Sequence, residues 1–281
     1  DPPFELERGA LVLVPVVNIP GFERRTRYMP DRRDLNRCFP GLEEGSLTSR
    51  IAHTIFEEIV RSCDYCIDFH TAAVHRTNFP NVRGDLRVPG VRRLARAFGC
   101  ELIVHGGGPA GSLRREAVRA GCPTILLEAG EPSRMESAVQ NVGVWGIRNV
   151  LVELGLVRGE VRKPAYQVLV RKSTWVRAER AGILRFHVSP GEIVEAGQPL
   201  ATNVSVFGQA QSVLISPEDG IVLGMTTLPA VKPGEPVCHL ALPTRSIKRI
   251  RRSLEKSSAG TVYQRTREDF TSSVAVTESG S

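Results

Sequence analysis

The chain has 281 residues, of which 41% are hydrophobic and 24% are charged, a composition typical of a globular protein rather than a disordered or fibrous one. No apolar run reaches the roughly 18 residues of a membrane span, and the first residues lack the basic and apolar regions of a signal peptide. The net charge of +7 favours a small acidic substrate or an anionic surface as the partner.

The cysteines lie mostly in apolar segments, and there are six of them, at positions 38, 63, 66, 100, 122 and 238. We interpret them as reduced core thiols, which places the protein in the cytoplasm. Cys63 and Cys66 have the C-x-x-C spacing of redox proteins. They fall between a predicted helix and a predicted strand rather than at a helix N-terminus, so a structural role is favoured.

The first half of the chain alternates between predicted strands and helices. The apolar, β-branched run at residues 11–17 predicts a strand that is buried on both faces. Further strands are predicted at residues 66–69, 101–104 and 124–127, and helices at residues 46–62, 91–98, 112–120 and 133–154, the last interrupted near Gly143 and Gly146. This alternation predicts an α/β domain with a doubly wound, mostly parallel sheet over residues 1–162.

The second half consists of short β runs separated by turns. These runs are at residues 166–171, 182–187, 199–204, 213–215, 220–223 and 237–242. They predict a small all-β, barrel-like domain over residues 163–244 that resembles biotinyl/lipoyl domains. No lysine occurs between Lys172 and Lys232, which argues against a swinging-arm carrier. Residues 245–281 are basic and rich in Ser and Thr, so we expect a disordered tail with a short basic helix at residues 247–254.

Polar side chains lie at the ends of two predicted strands. Asp68 and His70 share one face of the strand that begins near residue 66, and Glu128 follows the strand at residues 124–127. Because ligands of α/β sheets bind beyond the carboxyl ends of the strands, we expect His70 and Glu128 to share a site.

Five motifs occur along the chain in an order that is known from one family. They are Asn18-Ile19-Pro20-Gly21, Arg27-Tyr28, Asp34-Leu35-Asn36-Arg37 with Phe39-Pro40-Gly41, Ile67-Asp68-Phe69-His70-Thr71, and Leu127-Glu128-Ala129-Gly130-Glu131. Over about residues 11–243 the chain thereby resembles the succinylglutamate desuccinylase/aspartoacylase family, which is related to the zinc carboxypeptidases.

The resemblance implies a zinc-dependent amidohydrolase, or deacylase, acting on the amide bond of an N-acyl amino acid or a similar small anionic substrate. One zinc ion per subunit would be held by His70 and by a His-x-x-Glu motif. No such motif precedes Leu11, so these two further ligands are expected upstream of residue 1. His75 and His105 are weaker candidates for a substitute ligand.

The resemblance also implies roles for the other site residues. Glu128 would be the general acid and base, with Glu131 as an alternate, and Arg27 would polarise the scissile carbonyl. Asn36 and Arg37 would bind the substrate carboxylate, because a guanidinium is a planar fork that matches it. Either Arg114 or Arg115 would supply a second contact to the anionic substrate.

Two other functions remain open. The first is a metal-free, non-catalytic small-molecule binding protein on the same fold. The second is binding of nucleic acid or an anionic surface through the basic tail, which is less favoured because only Tyr263 and Phe270 are interleaved with its basic residues. The sequence leaves the oligomeric state open, a homo-oligomer included.

Overall fold

The structure is a computed structural model that describes residues 5–256. Its helices are α1 (Ile19–Arg24), α2 (Leu47–Glu58), α3 (Pro89–Phe98), α4 (Leu113–Arg119), α5 (Ser137–Glu153) and α6 (Ile247–Glu255), with short 3-10 helices at Leu35–Arg37 and Val60–Ser62. Its strands are β1 (Cys66–His70), β2 (Arg76–Gly84), β3 (Leu102–His105), β4 (Thr124–Gly130), β5 (Val168–Arg177), β6 (Gly182–Phe186), β7 (Ile193–Val194), β8 (Pro199–Val204), β9 (Ala210–Ile215), β10 (Gly220–Thr226), β11 (Ala230–Val231) and β12 (Pro236–Pro243). Within the described range, no helix has both the length and the apolar character needed to cross a bilayer.

The larger sheet is mixed and has eight strands, in the order β1-β4-β2-β3-β5-β12-β10-β7. Strand β1 is parallel to β4, whereas β2 is antiparallel to β4 and parallel to β3. Helices α3 and α5 cover one face of these strands, and α2 and α4 pack on the side of Cys66. The fold is thus a mixed α/β fold, and the antiparallel β2–β4 pair is a departure from the doubly wound, mostly parallel sheet that the sequence predicts.

Five strands of this sheet close into a barrel-like ring, because β10 pairs with β2 as well as with β12. The ring runs through β2, β3, β5, β12 and β10. Phe79, Leu102, Val170, Ile221 and Leu223 form the buried core associated with it. Since β2 and β3 come from the first half of the chain, the ring spans the boundary predicted near residue 162.

A second sheet of four strands, in the order β11-β6-β8-β9, packs against β10 and β12. Its strands are antiparallel. Strands β6, β8 and β9 correspond to the runs predicted at residues 182–187, 199–204 and 213–215, whereas β11 was not predicted. The predicted helix near residue 247 is present as α6, and its Ile250 is buried. The rest of the predicted disordered tail, from residue 257 onward, lies outside the described residues.

The prediction of a buried strand at residues 11–17 is wrong. This segment has no regular secondary structure and pairs with no strand of the described residues. Val12 and Leu13 are more than half exposed. An apolar β-branched run forms a buried strand only if it pairs with a neighbouring strand of a sheet. The run's own sequence does not show whether such a partner strand is present.

Strand β2 was not predicted, because Pro80 interrupts its pattern and a proline normally demotes a run to an edge strand. The register of β2 against β4 shifts between Asn78 and Asn81, so Pro80 lies at an irregularity where a ladder hydrogen bond is absent.

Helix α5 also differs from expectation, since it runs without interruption through Gly143 and Gly146.

Gly146 lets α5 approach α3, and this gives a stability prediction. A Cβ atom at Gly146 would overlap the ring of Phe98, which is 2% exposed. Gly146→Ala is therefore expected to destabilise the fold by about 1–3 kcal/mol despite the better helix propensity of Ala. Urea unfolding followed by circular dichroism measures the change.

Gly143→Ala is the matched control, one turn earlier on the same helix. A Cβ atom there would lie 3.5 Å from Cε1 of Phe69, an ordinary contact. We expect this variant to be as stable as the parent or more stable by up to about 1 kcal/mol. Equal destabilisation of both variants would contradict close packing at Gly146 in particular.

Candidate active site

His70 and Glu128 are side by side on neighbouring parallel strands, because they are register partners in the β1–β4 pair. Register partners point to the same face of a sheet. Leu127 packs into the core beneath α3 and α5, so Glu128 and His70 lie on the opposite face. The proximity expected from the strand ends is therefore present.

His70 is held by two polar side chains. Its Nε2 atom lies 3.0 Å from Oδ2 of Asp68 and 3.5 Å from Nδ2 of Asn36. Burial alone would lower the pKa of His70, but the hydrogen bond to Asp68 and the charges of Asp68 and Glu128 outweigh it and raise the pKa above the usual value. The charges around His70 thus favour its protonated form.

The loop that carries Asn36 is fixed to the N-terminus of α4. Asp34 caps the 3-10 helix by accepting a hydrogen bond from the backbone N–H of Asn36 at 2.9 Å. Oδ1 of Asn36 accepts a bond of 2.8 Å from the backbone N–H of Leu113. The backbone N–H of Phe39 donates to the carbonyl of Gly111 at 3.0 Å. These bonds leave the amide group of Asn36 facing His70.

Glu128 is paired with Arg83, a residue that the sequence analysis missed. Nη1 of Arg83 lies 3.2 Å from Oε2 of Glu128, and Nε of Arg83 donates to Oδ1 of Asn81 at 2.9 Å. The buried Asn81 amide also donates to the carbonyl of Glu128 at 3.1 Å. Asn81 therefore orients both partners of the ion pair. Arg83 is two residues from Asn81, so the two side chains lie on one face of a strand. This spacing indicates a shared site only once β2 is identified as a strand.

Arg114 and Arg115 differ sharply in their surroundings. Arg114 is 8% exposed, and its Nε and Nη1 atoms have no hydrogen-bond partner within residues 5–256. Burial and the nearby Arg83 lower its pKa, while the charges of Asp68 and Glu128 oppose that shift. Arg115 is exposed, and its Nη1 atom donates to the carbonyl of Gly108 at 3.4 Å. Arg114 thus belongs to the polar cluster of the site, and Arg115 does not.

Arg27 and Arg37 are both exposed. Nε of Arg27 lies 2.9 Å from Oδ2 of Asp34, and its charge acts to lower the pKa of His70. Arg37 is exposed, and its Nη1 atom donates to the backbone carbonyl of Asn36 at 2.6 Å. Arg27 is therefore close enough to influence the imidazole, whereas the guanidinium of Arg37 bonds to its own loop.

Three residues were weaker candidates for the site: Glu131 as an alternate acid and base, and His75 and His105 as substitute metal ligands. Glu131 accepts a hydrogen bond from the hydroxyl of Thr227 at 2.7 Å and pairs with Arg134 at 3.2 Å. His75 is exposed, and Nδ1 of His105 accepts a bond of 3.2 Å from the backbone N–H of Leu86. Within residues 5–256, none of the three forms a hydrogen bond or ion pair with His70 or Glu128.

The donors present do not complete a zinc site. Among the described residues, no three His, Cys, Asp or Glu side chains lie close enough together to hold a metal ion. His70 is one imidazole beside Asp68, and Glu128 is engaged by Arg83. Zinc in proteins takes at least three protein ligands, so residues 5–256 alone do not fit it.

The cysteines are unpaired in the described residues, and Cys63 and Cys66 form no disulfide. Burial raises the pKa of Cys66 to about 12, with smaller contributions from Asp68 and Cys122. A thiol with so high a pKa is a poor nucleophile, which favours the structural role predicted for this pair.

Comparison with known proteins identifies relatives over most of the chain. The family described as "Succinylglutamate desuccinylase/Aspartoacylase catalytic domain" matches residues 5–154. A curated relative, the N-alpha-acetyl-L-2,4-diaminobutyric acid deacetylase of Halomonas elongata, is 28% identical over 256 residues, which are 85% of this chain and 74% of the relative.

Solved structures share the fold. The succinylglutamate desuccinylase/aspartoacylase from Rhodobacter sphaeroides is 27% identical with a TM-score of 0.71, over 83% of this chain and 75% of that one. The product-bound ectoine utilization protein EutE from Ruegeria pomeroyi is 23% identical, also with a TM-score of 0.71, over 82% of this chain and 74% of that one. These likenesses extend through the barrel-like part of the fold as well as the α/β part.

Proposed function

The chain belongs to the succinylglutamate desuccinylase/aspartoacylase family, and from this membership we propose that it hydrolyses the amide bond of an N-acyl amino acid or a similar small carboxylate. The deacetylase from Halomonas elongata supports an amide as the bond that is cleaved. The observation that carries the proposal is a carboxylate, Glu128, in the same polar cluster as the buried Arg114, whose Nε and Nη1 atoms have no partner within residues 5–256.

The substrate carboxylate binds Arg114 in this proposal. A buried guanidinium with unpartnered N–H groups is costly, and an anionic ligand would satisfy them with charge-assisted hydrogen bonds. Asn36 and Arg37 are the proposed further contacts of the carboxylate, and Asn36 is positioned beside Arg114 by its bond to Leu113. The +7 net charge of the chain adds long-range attraction for the anion.

Glu128 is the proposed general base and acid. It takes a proton from the attacking water and delivers it to the leaving amine. Arg83 and Asn81 hold its carboxylate in one orientation, so the proton acceptor is positioned before the substrate arrives. Arg27, near His70, is the proposed donor to the developing oxyanion.

Zinc enters the proposal only through His70. When bound, zinc would supply Lewis-acid activation of the water and the carbonyl. His70 is the imidazole proposed to ligate it, with Asp68 orienting the ring through the 3.0 Å contact. Residues 5–256 alone do not complete the ligand set of zinc.

A second candidate function is metal-free binding of a small carboxylate without turnover. It is favoured by the buried Nε and Nη1 atoms of Arg114, which have no hydrogen-bond partner within residues 5–256 and could bind an anion without a metal. The two functions share the binding step, so a single pair of variants tests that step for both.

Arg114→Met is expected to weaken binding of N-acetyl amino acids by about 10–100-fold, since a charge-assisted hydrogen bond contributes about 1.5–3 kcal/mol. Arg115→Met is the matched control, because it removes the same group from the next residue, which is exposed. Binding is measured by calorimetry, and turnover by release of the free amine from the same ligands.

The outcomes separate the candidates. Selective loss of binding in the Arg114 variant, with amine release by the parent, supports the hydrolase. The same loss without amine release by the parent selects the binding protein. Equal effects of the two substitutions would refute Arg114 as the anion site.

A further inference from the structure

A second concave site lies on the far side of the sheet from Glu128. It is a groove of about 840 Å³ between α3 and residues 161–167, with Arg245 at its rim. Helix α3 covers the sheet face of Val82 and Leu127, whereas Glu128 points to the opposite face. The groove is therefore separate from the candidate active site, and its volume is within the range of about 300–1,000 Å³ that small-molecule sites occupy.

The walls of the groove are strongly basic. Among residues 5–256, its cationic lining residues are Arg92, Arg93, Arg96, Lys163 and Arg245, and its one lining carboxylate is Glu153. That carboxylate is already engaged, because Oε1 of Glu153 lies 2.7 Å from Nε of Arg93. The other four cations form no ion pair within residues 5–256, so they are available to an anionic ligand.

Two of these cations are arranged in series along one wall. Arg92 and Arg96 are one turn apart on α3, which separates them by about 6 Å along the helix axis. Lys163 and Arg245 are on other parts of the lining. A single carboxylate or phosphate would engage one guanidinium, whereas a chain of linked phosphates could engage both arginines at once.

The remaining lining suits an uncharged part of a ligand. Pro89, Ala97, Val161 and Pro164 contribute apolar surface. Nε2 of Gln167 donates to the carbonyls of Arg96 and Cys100, at 3.3 and 3.1 Å, which fixes the side chain. Its Oε1 atom accepts no hydrogen bond from the described residues and can accept one from an amino or hydroxyl group.

We propose that this groove binds a small ligand that carries two or more linked phosphates. The ligand can be a nucleotide or an inorganic polyphosphate, because both present the same chain of linked phosphates to Arg92 and Arg96. The apolar lining and Gln167 would add affinity only for the nucleotide. The proposal is independent of the deacylase function, since it uses none of the residues on the other face.

The test is calorimetric titration of the full chain with ATP, inorganic tripolyphosphate and AMP. We expect both triphosphate compounds to bind, AMP to bind more weakly, and affinity to fall with salt because the cations are exposed. The double variant Arg92→Glu/Arg96→Glu should weaken triphosphate binding at least about tenfold. The double variant Arg92→Gln/Arg96→Gln replaces it if charge reversal impairs folding.

The matched control is Arg50→Glu/Arg185→Glu, which makes the same change in net charge at two exposed arginines outside the groove. Its affinity should stay within about twofold of the parent. Tighter binding of ATP than of tripolyphosphate would identify a nucleotide site, and equal binding would identify a polyphosphate site. Absence of triphosphate binding at millimolar ligand, or equal weakening in both double variants, would overturn the proposal.

Discussion

Replacing Glu128 with Gln should lower kcat for amide hydrolysis by about 10²–10⁴-fold, which is the contribution of a positioned general acid and base. The amide of Gln is the same size as the carboxylate but cannot accept the proton of the attacking water. In the proposed function the ligand carboxylate binds at Arg114 rather than at Glu128, so the affinity for an N-acetyl amino acid should change far less than the rate.

The geometry around Glu128 makes this substitution informative. Arg83 pairs with Oε2 of Glu128 at 3.2 Å, and Asn81 fixes both the guanidinium and the backbone of Glu128. Gln at this position can still accept a hydrogen bond from Arg83, so the side chain should keep its place. A large loss of rate would thus report the missing proton acceptor rather than a displaced side chain.

Glu131→Gln is the control, because it makes the same chemical change three residues further along. The carboxylate of Glu131 is held by Thr227 and Arg134. We expect its kcat to stay within a few-fold of the parent. A full rate in the Glu128 variant, or an equal loss in the Glu131 variant, would remove Glu128 from the mechanism.

Local patterns predicted the elements that carry His70 and Glu128. The strand at residues 66–69 and the strand at residues 124–127 are present as β1 and β4, each extended by one or more residues. Their apolar runs are short and bounded by turn residues, which is where strand prediction from sequence is strongest. The adjacency of His70 and Glu128 followed from the strand ends.

The local sequence did not predict which strands pair with each other when they are far apart in the chain. Residues 11–17 have the composition of a buried strand but no pairing partner, whereas β2 has a poor strand pattern and pairs on both sides, with β4 and β3. The ring closed by β2 and β10 joins residues that are far apart in the chain. Strand propensity reports the fit of a side chain to a sheet, not which edge will accept it.

The candidate site likewise has features that local motifs predicted and features that only the folded structure shows. The motif that contains Asn36 pointed to the loop beside His70, but neither spacing nor composition distinguished Arg114 from Arg115. Burial distinguishes them, since Arg114 is 8% exposed and Arg115 is exposed. Arg83 became visible only as the partner of Glu128 in an antiparallel pair that had not been predicted.

Glu101→Gln is expected to change how stability depends on pH. Glu101 is 7% exposed at the start of β3, and burial raises its pKa from 4.5 to about 7. Since the folded pKa is above the unfolded one, the folded state binds more protons between these values. The carboxyl group therefore costs no stability at low pH, and its contribution becomes progressively unfavourable as the pH rises through this window.

The size of the effect follows from the shift in pKa. Ionising this buried group removes roughly 2–3 kcal/mol of stability between about pH 5 and about pH 8. Gln is neutral at every pH, so the variant should match the parent at about pH 5 and be more stable by roughly that amount at about pH 8. Urea unfolding of both proteins at the two pH values measures the difference.

The parent and the variant must be compared with each other at each pH, because a second, half-buried group changes stability in the opposite direction. Burial, Arg83 and Arg76 lower the pKa of His239 from 6.5 to about 4, so its contribution makes the fold more stable as the pH rises between these values. That contribution is common to parent and variant and cancels in their difference.

The control is Glu44→Gln, at an exposed carboxylate, which should leave stability unchanged at both pH values. If the Glu101 variant gains nothing over the parent at about pH 8, then the carboxylate is solvated in the folded state and its burial at the start of β3 is wrong.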